Sequence, residues 1–433
     1  MTASCGDKPS VGASLDDWLN YQLQLHTSEI DLGLERIGRV WKLLHPGAPD
    51  ARIITVAGTN GKGSCVAFLE AILIAADFHV GAYTSPHLVR YNERIRIDGN
   101  EASDTDICSA FEQIENARGD TPLTYFEFGT LAAMLLFVQS GVDVIVLEVG
   151  LGGRLDAANL FDADGVIITS IGLDHTDWLG DDLEQIAVEK AGVMRAGRPA
   201  VIARPDMPAS LHSVAGQVGA KALVRGHDYN LSVSGDEWHW QGNETAHHAL
   251  PLPLMPGKHQ LDNAAAVIAL LDSMRESLPV NKAAIATGLK TVSLAGRFQQ
   301  VGSNPLVFVD VAHNREAAAV LADAMRTHDE VKEWHAVASF YADKPIETIA
   351  EELRELISRW HIYVLKDARA ASSEILQEKI RQGGVEGSID AYGSFKQAVE
   401  SARSAAGADG GLVIFGSFEV AGAALEYFSS KTL

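Results

Sequence analysis

Between residues 52 and 170 the chain alternates short, continuous apolar runs with longer runs of helical period. The apolar runs 53–56, 80–83, 142–147 and 166–169 are rich in Val and Ile and predict strands. The segments 65–76, 104–117 and 128–140 predict helices between them. Strands that are apolar on both faces and joined through helices belong to a parallel sheet covered on both sides. From 199 to 256 the pattern changes, and Pro, Gly and Trp among alternating polar residues predict antiparallel β excursions. Residues 260–275 predict another helix. A second alternation follows Gly296, with strands expected at 306–311, 335–339, 361–365 and 412–415 and helices near 315–327, 345–358, 372–382 and 394–405. The expected architecture is α/β, with one domain over 1–295, a smaller doubly wound domain over 296–433, and a join near 288–297. No internal repeat or low-complexity segment interrupts it.

The first strand runs into Gly58-Thr59-Asn60-Gly61-Lys62-Gly63-Ser64, and a helical pattern follows at once. Glycines let successive backbone N–H groups converge on an anion, the helix N-terminus adds partial positive charge, and Lys62 adds a full one. The segment reads as a polyphosphate cradle in which the Ser64 hydroxyl can serve a metal ion. It departs from the common G-x-x-x-x-G-K-[ST] loop, because position 56 is valine and Gly63 separates Lys62 from Ser64.

Charge sharpens this reading. The 433 residues carry a formal net charge of −22 and show no cluster of lysines and arginines, so no nucleic-acid partner is expected. A polyanion bound by so acidic a chain calls for local cations, and a divalent metal is expected in the site. No run approaches the roughly 18 uncharged apolar residues of a membrane span, and the N-terminal residues lack an export-signal pattern, so no membrane partner is expected. Cys5, Cys65 and Cys108 have no metal-like spacing and fit a reducing, cytoplasmic location.

Open parallel sheets bind ligands at the carboxyl ends of their strands. That rule selects Ser85, Glu148 and His175, which follow the second, third and fourth strands, as a hydroxyl, a carboxylate and an imidazole able to hold Mg²⁺ beside a triphosphate. A glutamate ending an apolar strand is costly to bury without a cation.

These residues sit in a longer collinear set: Ile30-Asp31-Leu32-Gly33-Leu34-Glu35-Arg36, Ser85-Pro86-His87-Leu88, Thr124-Tyr125-Phe126-Glu127, Leu147-Glu148-Val149-Gly150-Leu151-Gly152-Gly153-Arg154-Leu155-Asp156, Leu173-Asp174-His175-Thr176, Glu189-Lys190-Ala191-Gly192, Gly296-Arg297-Phe298-Gln299, Asp310-Val311-Ala312-His313-Asn314 and Gly416-Ser417-Phe418. Over residues 17 to 420 the chain resembles the bifunctional dihydrofolate synthase/folylpolyglutamate synthases of the Mur ligase superfamily. The resemblance implies an N-terminal P-loop ATPase domain of Mur-ligase type and a smaller C-terminal Rossmann-like glutamate-ligase domain. It implies ATP-driven amide formation, in which a substrate carboxylate is phosphorylated and the amine of L-glutamate displaces phosphate from the acyl phosphate. The implied substrates are ATP, L-glutamate, dihydropteroate and reduced folates, and the chain is expected to be a monomer.

By the same resemblance, Gly58, Thr59, Asn60, Gly61, Lys62, Gly63 and Ser64 bind ATP phosphates, with Asn263, Arg297 and Asp310 contacting the nucleotide between the domains. Ser85, Glu148 and His175 carry magnesium, with two Mg²⁺ sites and a potassium ion implied. Lys190 matches a lysine that is carbamylated in relatives; the alternative is a plain lysine on a helix surface. Lys62, Glu148, His175 and Lys190 form the implied catalytic group. Ile30, Asp31, Leu32, Thr124, Tyr125, Phe126, Glu127, Arg154, Leu155 and Asp156 match the dihydropteroate pocket, where aromatic rings can cover the flat pterin. His313 and Ser417 are candidates for glutamate or the acyl phosphate, with solvent-facing turns as the alternative. Ala295 and Arg315 stand where relatives carry proline, and Lys258-His259 varies a more usual pair of histidines, which bears on loop stiffness rather than on the reaction.

Two other readings are weaker. A UDP-muramoyl amino-acid ligase would need a UDP-binding domain, and the about 50 residues ahead of the loop are too few for one. A guanine-nucleotide switch would need Asn-Lys-x-Asp, whereas Asn281-Lys282 is followed by Ala283-Ala284.

Overall fold

The structure is a computed structural model that describes residues 8–10, 12–26, 28, 30–44 and 49–430. Cys5 lies outside these residues. The chain divides into two compact units, one made of Met1–Pro86, Tyr91–Leu254 and Gln260–Val292, the other of His87–Arg90, Met255–His259 and Ser293–Leu433.

The first unit is built on an eight-stranded sheet of β1 (Arg52–Ala57), β2 (Val80–Tyr83), β3 (Ile95–Ile97), β4 (Asn100–Glu101), β5 (Val144–Glu148), β6 (Gly165–Ile168), β7 (Pro199–Ile202) and β8 (Lys221–Val224). Their order is β4-β3-β2-β5-β1-β6-β7-β8. All neighbours from β2 to β8 run parallel, and β3 and β4 turn antiparallel at one edge. Two helices, α1 (Leu15–Leu25) and α2 (Glu35–Leu44), come before the sheet. Its strands are linked through α3 (Lys62–Ala75), α4 (Asp104–Arg118), α5 (Tyr125–Ser140), α6 (Thr176–Leu179), α7 (Leu183–Ala191) and α8 (Ala209–Val218).

The central strands are buried along their lengths, so each needs apolar residues on both faces, and the sequence supplies them. Helix α5 follows the same logic: eleven of its residues are buried, among them Phe128, Leu131, Met134 and Phe137. Each such side chain contributes about 1.5–3 kcal/mol of burial. A capping box starts the helix, with Thr124 Oγ1 accepting from the Glu127 N–H and Glu127 accepting from the Thr124 N–H.

Segment 199–256 corrects the sequence expectation. Residues 199–224 are not antiparallel; β7, α8 and β8 extend the doubly wound sheet by two parallel strands. Only β9 (Tyr229–Ser234), β10 (Glu237–Gly242) and β11 (Ala246–Pro251) form a separate antiparallel sheet. Its core is Trp238 and Trp240, whose indole N–H groups donate to the carbonyls of Pro251 (2.9 Å) and Ala265 (3.1 Å). Helices α9 (Lys258–Ser273) and α10 (Lys282–Thr291) follow.

The second unit carries β12 (Gln299–Ser303), β13 (Leu306–Val309), β14 (Trp334–Ala338), β15 (Ile357–Tyr363), β16 (Ser388–Tyr392) and β17 (Gly411–Phe415), ordered β12-β13-β17-β14-β15-β16. Five strands are parallel and β12 pairs antiparallel at the edge. Its helices are α11 (Arg315–Met325), α12 (Ile346–Leu353), α13 (Ser373–Gln382), α14 (Phe395–Ala406) and α15 (Phe418–Ser429), and an apolar cluster lies on each face of the sheet. Among the described residues, no helix is long and apolar enough to cross a membrane.

Candidate active site

The rim at the carboxyl ends of β1, β2, β5 and β6 gathers most of the expected residues of the first unit. Leaving β1, the chain turns at Gly58, where φ is +145° and an added Cβ would lie 1.9 Å from Thr169 Oγ1. Only glycine fits there. The loop is pinned from the segment after β6. Thr59 N–H donates to the Ser170 carbonyl (2.8 Å) and Asn60 N–H to Ser170 Oγ (2.9 Å). Thr169 Oγ1 and Ser170 Oγ donate to the Asn60 carbonyl at 2.7 and 3.0 Å. Gly172 N–H donates to Thr59 Oγ1 at 3.0 Å. Gly61, at φ +88°, is the N-cap of α3 without a side-chain cap, and a Cβ there would lie 2.9 Å from Asn263 Oδ1. The first N–H groups of α3, from Lys62, Gly63 and Ser64, thus face the mouth of the loop as a helix N-terminus does, with no intrahelical acceptor.

Asn263, buried in α9, donates from Nδ2 to Gln260 Oε1 (3.1 Å), which fixes its amide so that the oxygen faces Gly61. Lys62 Nζ donates to the carbonyls of Gly58 and Thr59, both at 3.1 Å. Lys190 Nζ also donates to Gly58 O at 3.1 Å, so the two amines lie within about 6 Å of each other, close enough for like charges to repel. Lys190 is 5% exposed, which rules out a helix-surface lysine. Burial, reinforced by the Lys62 charge and opposed by Asp174 and Asp156, pulls its amine down to about 7.

Glu148 ends β5 at 5% exposure and accepts from the Ser85 N–H at 3.2 Å, so these two expected metal ligands are brought together. His175 sits apart in kind: it is the N-cap of α6 at φ +52°, its side chain 42% exposed and 3.9 Å from Asp174 Oδ2. Among the described residues no three His, Cys, Asp or Glu side chains gather as a metal site. The expected set holds two such side chains and a hydroxyl. Mg²⁺ suits it, because that ion keeps water and phosphate oxygens and takes few protein ligands. The buried Glu148 carboxylate is the observation that fits a cation there.

Asp156 is buried and accepts from the Leu151 N–H (2.9 Å) and the Ala158 N–H (3.0 Å), capping the short 3₁₀ turn Ala157–Leu160. Burial pushes its carboxyl up to about 6, against those backbone bonds and the Lys62 charge. Arg154 pairs with Glu189 at 2.9 Å and its N–H donates to the Glu189 carbonyl (2.8 Å), so the loop after β5 lies against the helix that carries Lys190. Leu155 in that loop is half-buried.

Tyr125 and Phe126 open α5. Tyr125 meets Tyr91 edge-on at 5.8 Å beneath the Arg94 guanidinium, and Phe126 packs against Tyr83 at 5.8 Å. Asp31, between the half-buried Ile30 and Leu32, is tied through Arg36 to Glu127. In the second unit, the half-buried Asp310 accepts from the N–H groups of Phe298 and Ala312, both at 2.8 Å. Burial pushes its carboxyl up while Arg297 pulls it down. Arg297 lies over the Phe418 ring at 5.6 Å. His313 Nδ1 bonds the Val311 carbonyl at 2.8 Å, and Ser417 is buried with its Oγ accepting from the Val420 N–H as the N-cap of α15. Ser417 is therefore no solvent-facing turn.

Sequence reasoning missed Thr169, Ser170, Gln260 and Arg36. The hydroxyl pair at 169–170 was the available signal, directly after a strand aimed at the rim.

Residues 56–271 match the Mur ligase middle domain, and residues 296–418 match the Mur ligase glutamate ligase domain. The dihydrofolate synthase/folylpolyglutamate synthase of Escherichia coli strain K12 is 41% identical over 423 residues, covering 98% of this chain and 97% of its own. The structure of E. coli FolC in complex with DHPP and ADP has a TM-score of 0.91 at 40% identity and covers 98% of this chain and 100% of its own. A crystal structure of bifunctional folylpolyglutamate synthase/dihydrofolate synthase with Mn, AMPPNP and L-glutamate bound has a TM-score of 0.90 at 42% identity, with the same coverage. The chain belongs to the dihydrofolate synthase/folylpolyglutamate synthase family of Mur ligases.

Proposed function

We propose that this protein ligates L-glutamate to dihydropteroate, and further glutamates to reduced folates, at the expense of ATP and through an acyl phosphate. The observation that carries the proposal is the glycine loop at the α3 N-terminus, with Lys62 held in it, in a chain of this family. Such a loop suits the charge of a transferring phosphoryl group, because its donors are already fixed before reaction.

In this proposal the N–H groups of 61–64 and the Lys62 ammonium hold the ATP phosphates, while Asn263, Arg297 and Asp310 contact the nucleotide. Ser85, Glu148 and His175 hold Mg²⁺, which supplies charge neutralisation on the phosphate oxygens when bound. The substrate carboxylate takes the γ-phosphoryl group and ADP leaves; the glutamate amine then attacks the activated carbonyl and inorganic phosphate departs. The pteroate contacts fall to Ile30–Leu32, Thr124–Glu127 and Arg154–Asp156, and glutamate falls to His313 and Ser417.

A neutral, buried Lys190 amine is the form that adds CO₂, and the resulting carbamate would be an anion fit to support a second cation; a potassium ion belongs to the same proposal. Residues 1–295 are assigned to ATP and pterin and 296–433 to glutamate ligation. The protein is proposed to act as a cytoplasmic monomer, in keeping with the free thiols of Cys65 and Cys108.

The test is incubation with MgATP, labelled glutamate and either dihydropteroate or tetrahydrofolate. Labelled dihydrofolate and lengthened folates should appear, with ADP release requiring both the pteroate-type substrate and glutamate. ATP hydrolysis without them, or turnover of GTP alone, overturns the reading.

A further inference from the structure

The segment from Ile30 to Arg36 carries one basic side chain, Arg36, to which the proposed pocket gives no task. Arg36 lies in the first turn of α2 with its side chain 16% exposed. Its Nη1 donates to Asp31 Oδ2 at 2.5 Å, its Nη2 donates to the Asp31 carbonyl, and its Nε donates to Glu127 Oε2 at 2.9 Å. One guanidinium thus ties the 30–32 stretch to the N-terminal turn of α5, 91 residues away. These are two of the three segments assigned above to the pteroate.

Glu127 makes the arrangement unusual. Its Oε2 takes both the Arg36 Nε and the Thr124 N–H, the latter at 2.8 Å within the capping box. Its Oε1 is buried and has no hydrogen-bond partner among the described residues. Native proteins rarely leave a buried carboxylate oxygen without a donor, and such an atom is met by an ordered water or an ion or marks a functional role. The fixed fork of an arginine can hold two acceptors on different segments at once, which a lysine ammonium at the end of a flexible stem does less well.

We propose that Arg36 is a positioning residue for pteroate recognition, which locks the 30–32 stretch to α5 and saturates one Glu127 oxygen so that Oε1 accepts a hydrogen bond from an amino or N–H donor of the pterin ring. The inference rests on the functional reading above. It separates two tasks within one carboxylate: Oε2 holds the fold and Oε1 reads the ligand.

Steady-state kinetics of the wild type, Arg36→Met, Arg36→Lys and Glu127→Gln test it, with dihydropteroate varied at saturating MgATP and glutamate, then with ATP varied. In Glu127→Gln the amide oxygen must stay on the Thr124 N–H to keep the cap, which turns an NH₂ group toward the substrate donor. KM for dihydropteroate should rise roughly ten-fold or more in Glu127→Gln and in Arg36→Met, the range of a lost charge-assisted hydrogen bond. Arg36→Lys should recover part of that loss, and KM for ATP should stay within about two-fold throughout. A wild-type KM for dihydropteroate in Glu127→Gln or Arg36→Met, or a parallel rise in KM for ATP, overturns the inference. Should Arg36→Met fail to fold, Glu127→Gln, which keeps the cap, decides alone. A wild-type enzyme that makes no product from dihydropteroate overturns the functional reading and this inference together; active wild type with unaffected variants overturns this inference only.

Discussion

Replacing Lys190 by methionine should stabilise this protein while destroying its activity. The amine is buried, donates one hydrogen bond to Gly58 O, and shares that oxygen with the Lys62 ammonium. An ordinary lysine titrates near 10.5, and this one is pulled down to about 7, first by burial and then by Lys62. Above about 10.5 both folded and unfolded chains hold the neutral amine and nothing is lost. As pH falls below that value the unfolded chain binds a proton that the folded chain refuses, and stability declines by about 1.36 kcal/mol per pH unit. The decline ends near pH 7, by which point the penalty is of order 5 kcal/mol.

Methionine has similar volume and no charge, so Lys190→Met removes the penalty and forfeits one hydrogen bond worth about 1 kcal/mol. The variant should therefore exceed the wild type by about 3–4 kcal/mol at pH 6 and by only about 1 kcal/mol at pH 9. Urea unfolding in CO₂-free buffer from pH 6 to 9, read at constant m-value, measures this difference. A variant less stable than wild type at pH 6, or a difference that ignores pH, refutes the reasoning. Adding carbon-13 bicarbonate should give a carbamate signal in the wild type that Lys190→Met lacks.

Lys62→Ala should lower kcat by at least about 100-fold, since removing one fixed electrostatic donor from a transition state costs about 3 kcal/mol or more; near-normal kcat in single-turnover assays contradicts the assignment. Asp156→Ala should lose dihydropteroate glutamylation while keeping part of folate chain extension, together with about 1–2 kcal/mol of stability from the lost caps at Leu151 and Ala158. Equal loss of the two activities would make Asp156 a shared or purely structural group. His361 is buried, with Nε2 bonded to His335 Nδ1 (3.3 Å) and Nδ1 to the Tyr392 hydroxyl (3.1 Å), and burial with the neighbouring His335 and Arg359 lowers it to about 4. It prefers the neutral form, so stability should fall by about 3 kcal/mol as pH drops from 6.5 to 4, and acid titration of His361→Phe should show a correspondingly shallower decline.

The parallel strands were legible in the sequence because burial on both faces leaves little choice but unbroken Val and Ile runs, as in β1, β5 and β17. The edge strands were not. In β16, Ser388 is exposed and Ile389 only half-buried, and β12 is partly exposed with a bulge, so neither carries a clean period. Strands β7 and β8 escaped for another reason: each is four residues long, and the Trp-rich alternation of β9 to β11 just beyond coloured the whole stretch as antiparallel. In the site, whatever is encoded locally could be read. The glycine loop is one such feature, since its strand, turn and helix start are contiguous. The pins on that loop lie 109 and 110 residues away at Thr169 and Ser170, and although a hydroxyl pair directly after a strand is a local signal, nothing local says which loop it holds. Lys190 shows the same limit. Its helix, LEQIAVEKA, has a mixed polar surface pattern, and the lysine is buried because the loop after β5 is held against the helix through Arg154 and Glu189.

Local encoding also explains how a chain of net charge −22 can hold a polyphosphate. A field summed over the whole surface would repel that ligand, so attraction must come from groups within a few ångströms of it. The α3 N-terminus and Lys62 supply it, and the two carbonyls that Lys62 grips hold its ammonium in the loop without cancelling its charge. A second full cation on the same Gly58 oxygen would add repulsion where the loop must stay closed. Burial answers that difficulty by pulling the Lys190 amine down to about 7, so that it is neutral above that pH, and carbamylation would go further by reversing its sign beside Lys62. The crowding of two lysines on one carbonyl is therefore not a flaw in packing. Burial does most to bring Lys190 down to about 7 and the Lys62 charge adds to it, so a variant that removes the Lys62 charge should raise the Lys190 pKa, measurable as a shift in the pH at which bicarbonate-dependent carbamate forms.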